Sequence, residues 1–172
     1  MDYSEVRLKI KTGDMLLWRA SKEGSLRSVI ERWFIMHGTS SPYTHVGVAW
    51  VEHNRVWVME ITTHGCAPRL LSSCGDFDWS PCPKELSEQA LSFAFDCFGS
   101  WTYSRWQAVL GALKRLTIGD DKQGQCSEFA LAVWSVDTMQ PTTIATPAAC
   151  AEGAMLNWKS PVYSIENKKT MV

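Results

Sequence analysis

Residues 44–63, THVGVAWVEHNRVWVMEITT, form two apolar runs broken only at His53-Asn54, the pattern of a β-hairpin. This feature constrains the fold most, because the turn sets which residues face each other. A two-residue turn at His53-Asn54 and a four-residue loop from Glu52 to Arg55 give the same pairing. Glu52 meets Arg55, Gly47 meets Glu60, and His45 meets Thr62. Side chains alternate between faces along a strand. His45, Gly47, Ala49, Val51, Val56, Val58, Glu60 and Thr62 therefore share one face. Val46, Val48, Trp50, Trp57, Met59 and Ile61 share the other, which carries the heavier apolar load. Glu60 falls diagonal to His45, within reach of long side chains, and Gly47 has no side chain to block the gap. A carboxylate there can accept the imidazole N–H, fix its tautomer and raise its basicity. A one-residue bulge would move Glu60 to the opposite face and break the pair.

The rest of the chain divides into strands first and helices later. TGDMLLWRA reads as a turn and a short strand, and APRLLS as a further strand. DFDWSPCPK, with two prolines, reads as a loop or edge strand. An early helix is expected over 25–38, capped by Ser25 and stopped by Gly38. LSEQALSFAFDCFG is expected as a helix with Ser87 as its cap and a stripe of Ala90, Leu91, Ala94, Phe95 and Phe98. YSRWQAVLGALKRL and CSEFALAVWSV complete the helices, the latter opened by Gly124. The tail reads as irregular, with a short helix over 148–156. Strands and helices segregated in this way predict an α+β fold rather than alternating βαβ units. At 172 residues, and with no linker or repeat, the chain is expected to be a single domain spanning 1–172.

Composition narrows the function classes. A formal net charge of -1 gives no global reason to expect a nucleic-acid partner. No apolar run reaches the roughly 18 residues of a transmembrane helix. The charged opening MDYSEVRLKIKTGD is unlike a secretory signal, so synthesis in the cytoplasm is expected, with the final site of action left open. Without a signal, the six cysteines are expected as free thiols. Cys66, Cys74 and Cys82 are not spaced as zinc ligands, and no metal or other cofactor is expected.

Cys126 differs from the other cysteines in its position, two residues after Gly124 at the start of an apolar helix. A helix N-terminus favours an anion and offers unpaired N–H groups that can hold a developing oxyanion. A thiolate there needs a cationic partner or base, which a histidine on a neighbouring strand can supply. A free cysteine can equally pack as a small hydrophobe, the role expected of Cys97 and Cys150. Among the other histidines, His53 belongs to the hairpin tip and His37 to a helix end. His64, beside Gly65, is an alternative to Glu60 as the third polar group.

Taken in order, TGDMLL, SPYTHVGVAW, VMEITTHG, GSWTYSRW, QCSEFAL and ATPAAC resemble the circularly permuted, YiiX-like branch of the NlpC-like, papain-fold cysteine peptidase superfamily. The resemblance spans roughly residues 12–151. It implies a permuted papain-like topology, with an antiparallel, partly barrel-like sheet packed on the helix that bears the nucleophile. Position by position, it makes Cys126 the nucleophile, His45 the base and Glu60 the residue that orients the base. Tyr103 matches a tyrosine that often lies near the active site, while Gly13 and Asp14 match a structural turn. Trp101 stands where smaller residues are common, which implies a different binding pocket.

The function implied is a cysteine hydrolase that cleaves an amide or ester bond in a small peptide or acyl substrate, cell-wall peptides being one class. The same superfamily also allows a lipid-directed acyltransferase or phospholipase. A binding or structural module, such as a virion component, is the non-enzymatic alternative. The sequence leaves the oligomeric state open.

Overall fold

The computed structural model describes residues 1–20, 42–103, 123–138, 150 and 161–167. The helices expected over 25–38, 103–116 and 148–156 lie outside the described residues, apart from Tyr103 and Cys150. The elements are α1 (Tyr3–Val6), β1 (Met15–Arg19), β2 (Tyr43–Glu52), β3 (Arg55–Thr62), β4 (Gly65–Leu70), a 3-10 turn (Leu71–Ser73), β5 (Phe77–Ser80), α2 (Glu88–Cys97), β6 (Thr102–Tyr103), β7 (Gln123–Gly124), α3 (Cys126–Thr138) and β8 (Tyr163–Ile165). The architecture is α+β. Six strands form one antiparallel sheet in the order β4-β3-β2-β1-β5-β8.

The β2–β3 hairpin has the register read from the sequence, with Glu52 opposite Arg55 and Val48 opposite Met59. Its turn residues His53 and Asn54 have φ of 48° and 58°. Two successive left-handed residues match the twist of the flanking strands, which makes such turns the favoured hairpin connection. His53 is exposed at the tip, where it pairs with Glu52 at 2.9 Å.

Both faces of the sheet are covered. On one face Met15, Leu17, Val46, Val48, Met59 and Ile61 pack with Ala90 and Ala94 of α2 and Phe129, Leu131 and Trp134 of α3. On the other, Leu16, Ala49, Val56 and Val58 pack with Val6, Ile10, Leu71, Phe77, Trp79 and Ile165. The two helices are tied end to end. Ser87 caps α2 by accepting from the Ala90 N–H, and its own N–H and hydroxyl donate to Asp137, near the end of α3.

The turn at Gly13-Asp14 joins helix, sheet and loop. Gly13 has φ of 102°, and an added Cβ would lie 2.8 Å from Cζ2 of Trp134. Its carbonyl accepts the Trp134 indole N–H at 3.1 Å. The buried Asp14 carboxylate accepts from the backbone N–H groups of Lys11 and Cys82 and from the Trp79 indole. These bonds are a structural use of the turn.

Three local expectations need correction. Phe77–Ser80 is neither loop nor edge, because it pairs with β1 on one side and β8 on the other. The prolines that suggested otherwise lie just beyond it. The tail is not wholly irregular, since Tyr163–Ile165 covers what would have been that exposed edge. On α2 the buried face is Ala90, Ala94 and Cys97, whereas Phe95 is 39% exposed. Phe95 instead packs edge-on against Trp50, with ring centroids 5.1 Å apart.

Candidate functional site

The hairpin brings the two polar residues of its first face together. His45 Nε2 lies 2.5 Å from Glu60 Oε2. Glu60 is 1% exposed, and the His45 side chain is 24% exposed. Gly47 makes this approach possible. A Cβ at Gly47 would sit 2.3 Å from Val58 Cγ2 and 3.4 Å from Glu60 Cβ. The first distance is well inside contact, and neither the strand nor a β-branched side chain can yield easily. Gly47→Ala should therefore destabilise the fold by about 1–3 kcal/mol through overpacking. Thermal unfolding measures this, and an unchanged midpoint would mean that the hairpin packs differently here.

The start of β2 is bent. Trp18 pairs with His45, but Arg19 pairs with Tyr43, so the register slips by one residue at Thr44. Tyr43 and Val46 consequently both join the helix-side core, which a strictly alternating strand would forbid. Such a bulge re-aims neighbouring side chains. The Trp18 ring lies against the imidazole, with centroids 5.4 Å apart. Beyond the bulge, Tyr43 donates to the buried Asp78, which also holds Arg19.

Cys126 is the first residue of α3. The segment before it is held by β7, which pairs in parallel with β6 so that Gly124 lies beside Tyr103. A Cβ at Gly124 would meet Glu128 Oε2 at 3.2 Å and Trp101 Cζ3 at 3.3 Å. Glycine thus permits a close approach here as well as breaking the preceding chain. Glu128 reaches back to accept the Gln125 N–H at 2.9 Å, satisfying a donor that the helix itself cannot. Ser127 Oγ is buried without a hydrogen-bond partner among the described residues. Trp101 packs edge-on against Phe93 and Phe129, and its carbonyl accepts the Cys66 N–H. Its bulk supports the segment leading to Cys126.

Cys126 also acts on His45 electrostatically, so the imidazole feels both the sulfur and the carboxylate. Burial works against the imidazolium, but the Cys126 sulfur and the Glu60 carboxylate outweigh it and carry the His45 pKa up to about 10. Burial also works against the Glu60 carboxylate. There His45 and Arg69 prevail and hold the pKa below the usual value. Burial raises the Cys66 thiol to about 12 and the Cys97 thiol to about 11, and it raises Cys82 and Cys150 too.

The described geometry thus brings His45 and Glu60 together and puts Cys126 within electrostatic reach of the imidazole. Tyr103 sits beside the segment that leads into Cys126. His64 is exposed in the β3–β4 turn, where its backbone N–H donates to Thr62 Oγ1. Sequence reasoning missed Arg69, whose Nε donates to Glu60 Oε1 at 2.7 Å. A signal for it existed. Gly65 has φ of 100° and closes a tight turn with Thr62. The resulting register puts Ala67 opposite Glu60 and Arg69 opposite Val58, so Arg69 shares the Glu60 face.

No family model matches the chain, and no curated protein matches it. Among solved structures it is similar to the crystal structure of metalloprotein yiiX from Escherichia coli O157:H7, DUF1105. The TM-score is 0.56 at 16% identity, over 92% of this chain and 89% of that one. Since that protein is described as a metalloprotein, the site bears on whether a metal fits here. Among the described residues no three His, Cys, Asp or Glu side chains are grouped to hold a metal ion. The two Glu60 oxygens already face His45 and Arg69. The described donor set therefore does not fit a metal. Among the described residues no helix is long and apolar enough to cross a membrane. The likeness to yiiX is one of fold: an α+β chain whose antiparallel six-stranded sheet is compatible with a papain-like architecture.

Proposed function

We propose that the protein is a cysteine hydrolase that cleaves an amide or ester bond, with Cys126 as nucleophile, His45 as acid and base, and Glu60 orienting the imidazole. One observation carries this reading: His45 bonds Glu60 and lies within electrostatic reach of a cysteine in the first turn of a helix. An imidazole in this position can hold the proton of the neighbouring thiol and stabilise the thiolate that results. The chain order, with both β2–β3 residues ahead of the cysteine helix, suits a permuted papain-like domain.

The chemistry follows from these positions. The Cys126 thiolate forms a bond to the carbonyl carbon, and the carbonyl π electrons move to oxygen. N–H groups of the first helical turn, which have no intrahelical acceptor, can stabilise that oxyanion. Collapse expels the amine or alkoxide, which takes its proton from the His45 imidazolium. Water then attacks the thioester while His45 accepts its proton, and Cys126 is released. Glu60 offsets the imidazolium charge throughout.

The test pairs thiol labelling with a substrate screen. Iodoacetamide at pH 6 should modify Cys126 ahead of the other thiols, as mapped by peptide mass spectrometry. It is a small reagent, suited to a cysteine that is only 4% exposed. Cell-wall peptides and acyl-ester lipids should then be compared as substrates, release of amine or fatty acid distinguishing the two classes. Cys126 labelling no faster than Cys97, together with no hydrolysis of either class, would leave a binding module as the better description.

A further inference from the structure

Glu60 is a buried carboxylate with two oxygens, and each has its own cationic partner. Oε2 faces His45 at 2.5 Å, and Oε1 accepts from Arg69 Nε at 2.7 Å. Arg69 reaches Glu60 from β4, the next strand, across a register that places it diagonally on the same face. Its side chain is 49% exposed, whereas Glu60 is 1% exposed. The arginine therefore bridges solvent and a carboxylate that is otherwise closed off.

We propose that Arg69 is a positioning residue for the Cys126–His45 pair: its guanidinium fixes one oxygen of Glu60 so that the other is presented to His45. This rests on the hydrolase reading above and deepens it. An isolated buried carboxylate tends to protonate, and a protonated acid can rotate to donate rather than accept. With Arg69 in place, the charge of Glu60 is kept and one of its oxygens is occupied. The carboxylate then cannot turn away without breaking a charge-assisted bond. The other titratable groups around Glu60 are His45 at its second oxygen, the Cys126 thiol beyond that imidazole and the Cys66 thiol on β4, which burial pushes up to about 12. Only His45 is a cation, and it holds the other oxygen, so none can take over that role. Lysine, a point charge, should restore the charge but not the directed Nε–H bond.

The test uses Arg69→Met and Arg69→Lys in the full chain, with thermal unfolding to confirm that both fold. Two signals are followed against pH: the Glu60 carboxyl carbon and the His45 imidazole by NMR, and the alkylation rate of Cys126 by iodoacetamide. In Arg69→Met the Glu60 titration and the acid limb of Cys126 alkylation should both move up by about one pH unit, the scale of losing one nearby opposite charge. Arg69→Lys should recover most of that shift. A merely structural arginine would change the unfolding temperature and leave both titrations in place, which overturns the proposal. If Cys126 never shows enhanced alkylation even in the wild type, the hydrolase reading fails. The Glu60 and His45 signals then still decide whether Arg69 controls that carboxylate.

Discussion

Replacing Cys126 with alanine should abolish hydrolysis, by at least about 10⁴-fold, while the protein still folds. Loss of the nucleophile in a triad hydrolase removes the covalent route and leaves only the slow background supported by binding and oxyanion stabilisation. The fold should survive because the core around α3 is built by Phe129, Leu131, Val133 and Trp134, all fully buried, and because Glu128 and Gln125 cap the helix without the thiol. Cys126→Ser is the stricter variant, since it keeps the shape and loses the readily ionised sulfur. In both variants the His45 pKa should fall from about 10, because the sulfur is the largest influence holding it up. Imidazole titration by NMR measures that directly. Turnover retained in a variant with an unchanged melting curve would remove Cys126 as the nucleophile.

Glu60→Gln should slow hydrolysis by roughly 10- to 10³-fold without silencing it. The amide is nearly the same shape, but it has one oxygen where the carboxylate has two. It can accept from Arg69 or from His45, not from both, and it offers no charge to balance an imidazolium. The lower figures reflect a cysteine nucleophile, which depends less on its base than a serine does. Stability should also change with pH, in a definite direction. The Glu60 pKa is lowered in the fold, so its contribution is complete above the usual value of 4.5 and is lost as pH falls through the folded value. The His45 pKa is raised, so its contribution is complete below 6.5 and is lost as pH rises through about 10. Urea midpoints at pH 3, 5.5 and 9 should therefore show a wild-type advantage over Glu60→Gln that is largest at pH 5.5 and shrinks in acid. An equal rate and an equal midpoint at every pH would make Glu60 an ordinary strand residue.

Much of the site was legible because its first half is local. Period-two alternation and a turn at His53-Asn54 specify a hairpin register over a few residues, and that register already put Glu60 on the His45 face with Gly47 between. Helix starts were legible for the same reason. Ser87 and Cys126 lie at junctions where a polar or small residue precedes an apolar run, and capping involves neighbours only. The approach of Cys126 to His45 was not local. Spacing alone did not suggest it, and the ordered resemblance of the motifs did.

Other features depended on which surfaces remained free once the hairpin had formed. Phe77–Ser80 reads as an edge because the sequence does not say that Tyr163–Ile165 will return to cover it. Phe95 falls on the helical stripe, yet its ring is taken by Trp50 at the rim. Arg69 belongs to a second hairpin whose register had to be extended from the first. The bulge at Thr44 depends on how β1 docks against β2. The amino-acid sequence by itself determined the β2–β3 register, the α+β class and the helix caps, because each rests on contacts between residues close in the chain. Tertiary structure alone decided the strand order, the bend beside His45 and the docking of the Cys126 helix against the sheet. Each of these joins elements far apart in the chain, where pairing is chosen by competition among buried surfaces rather than by any local preference.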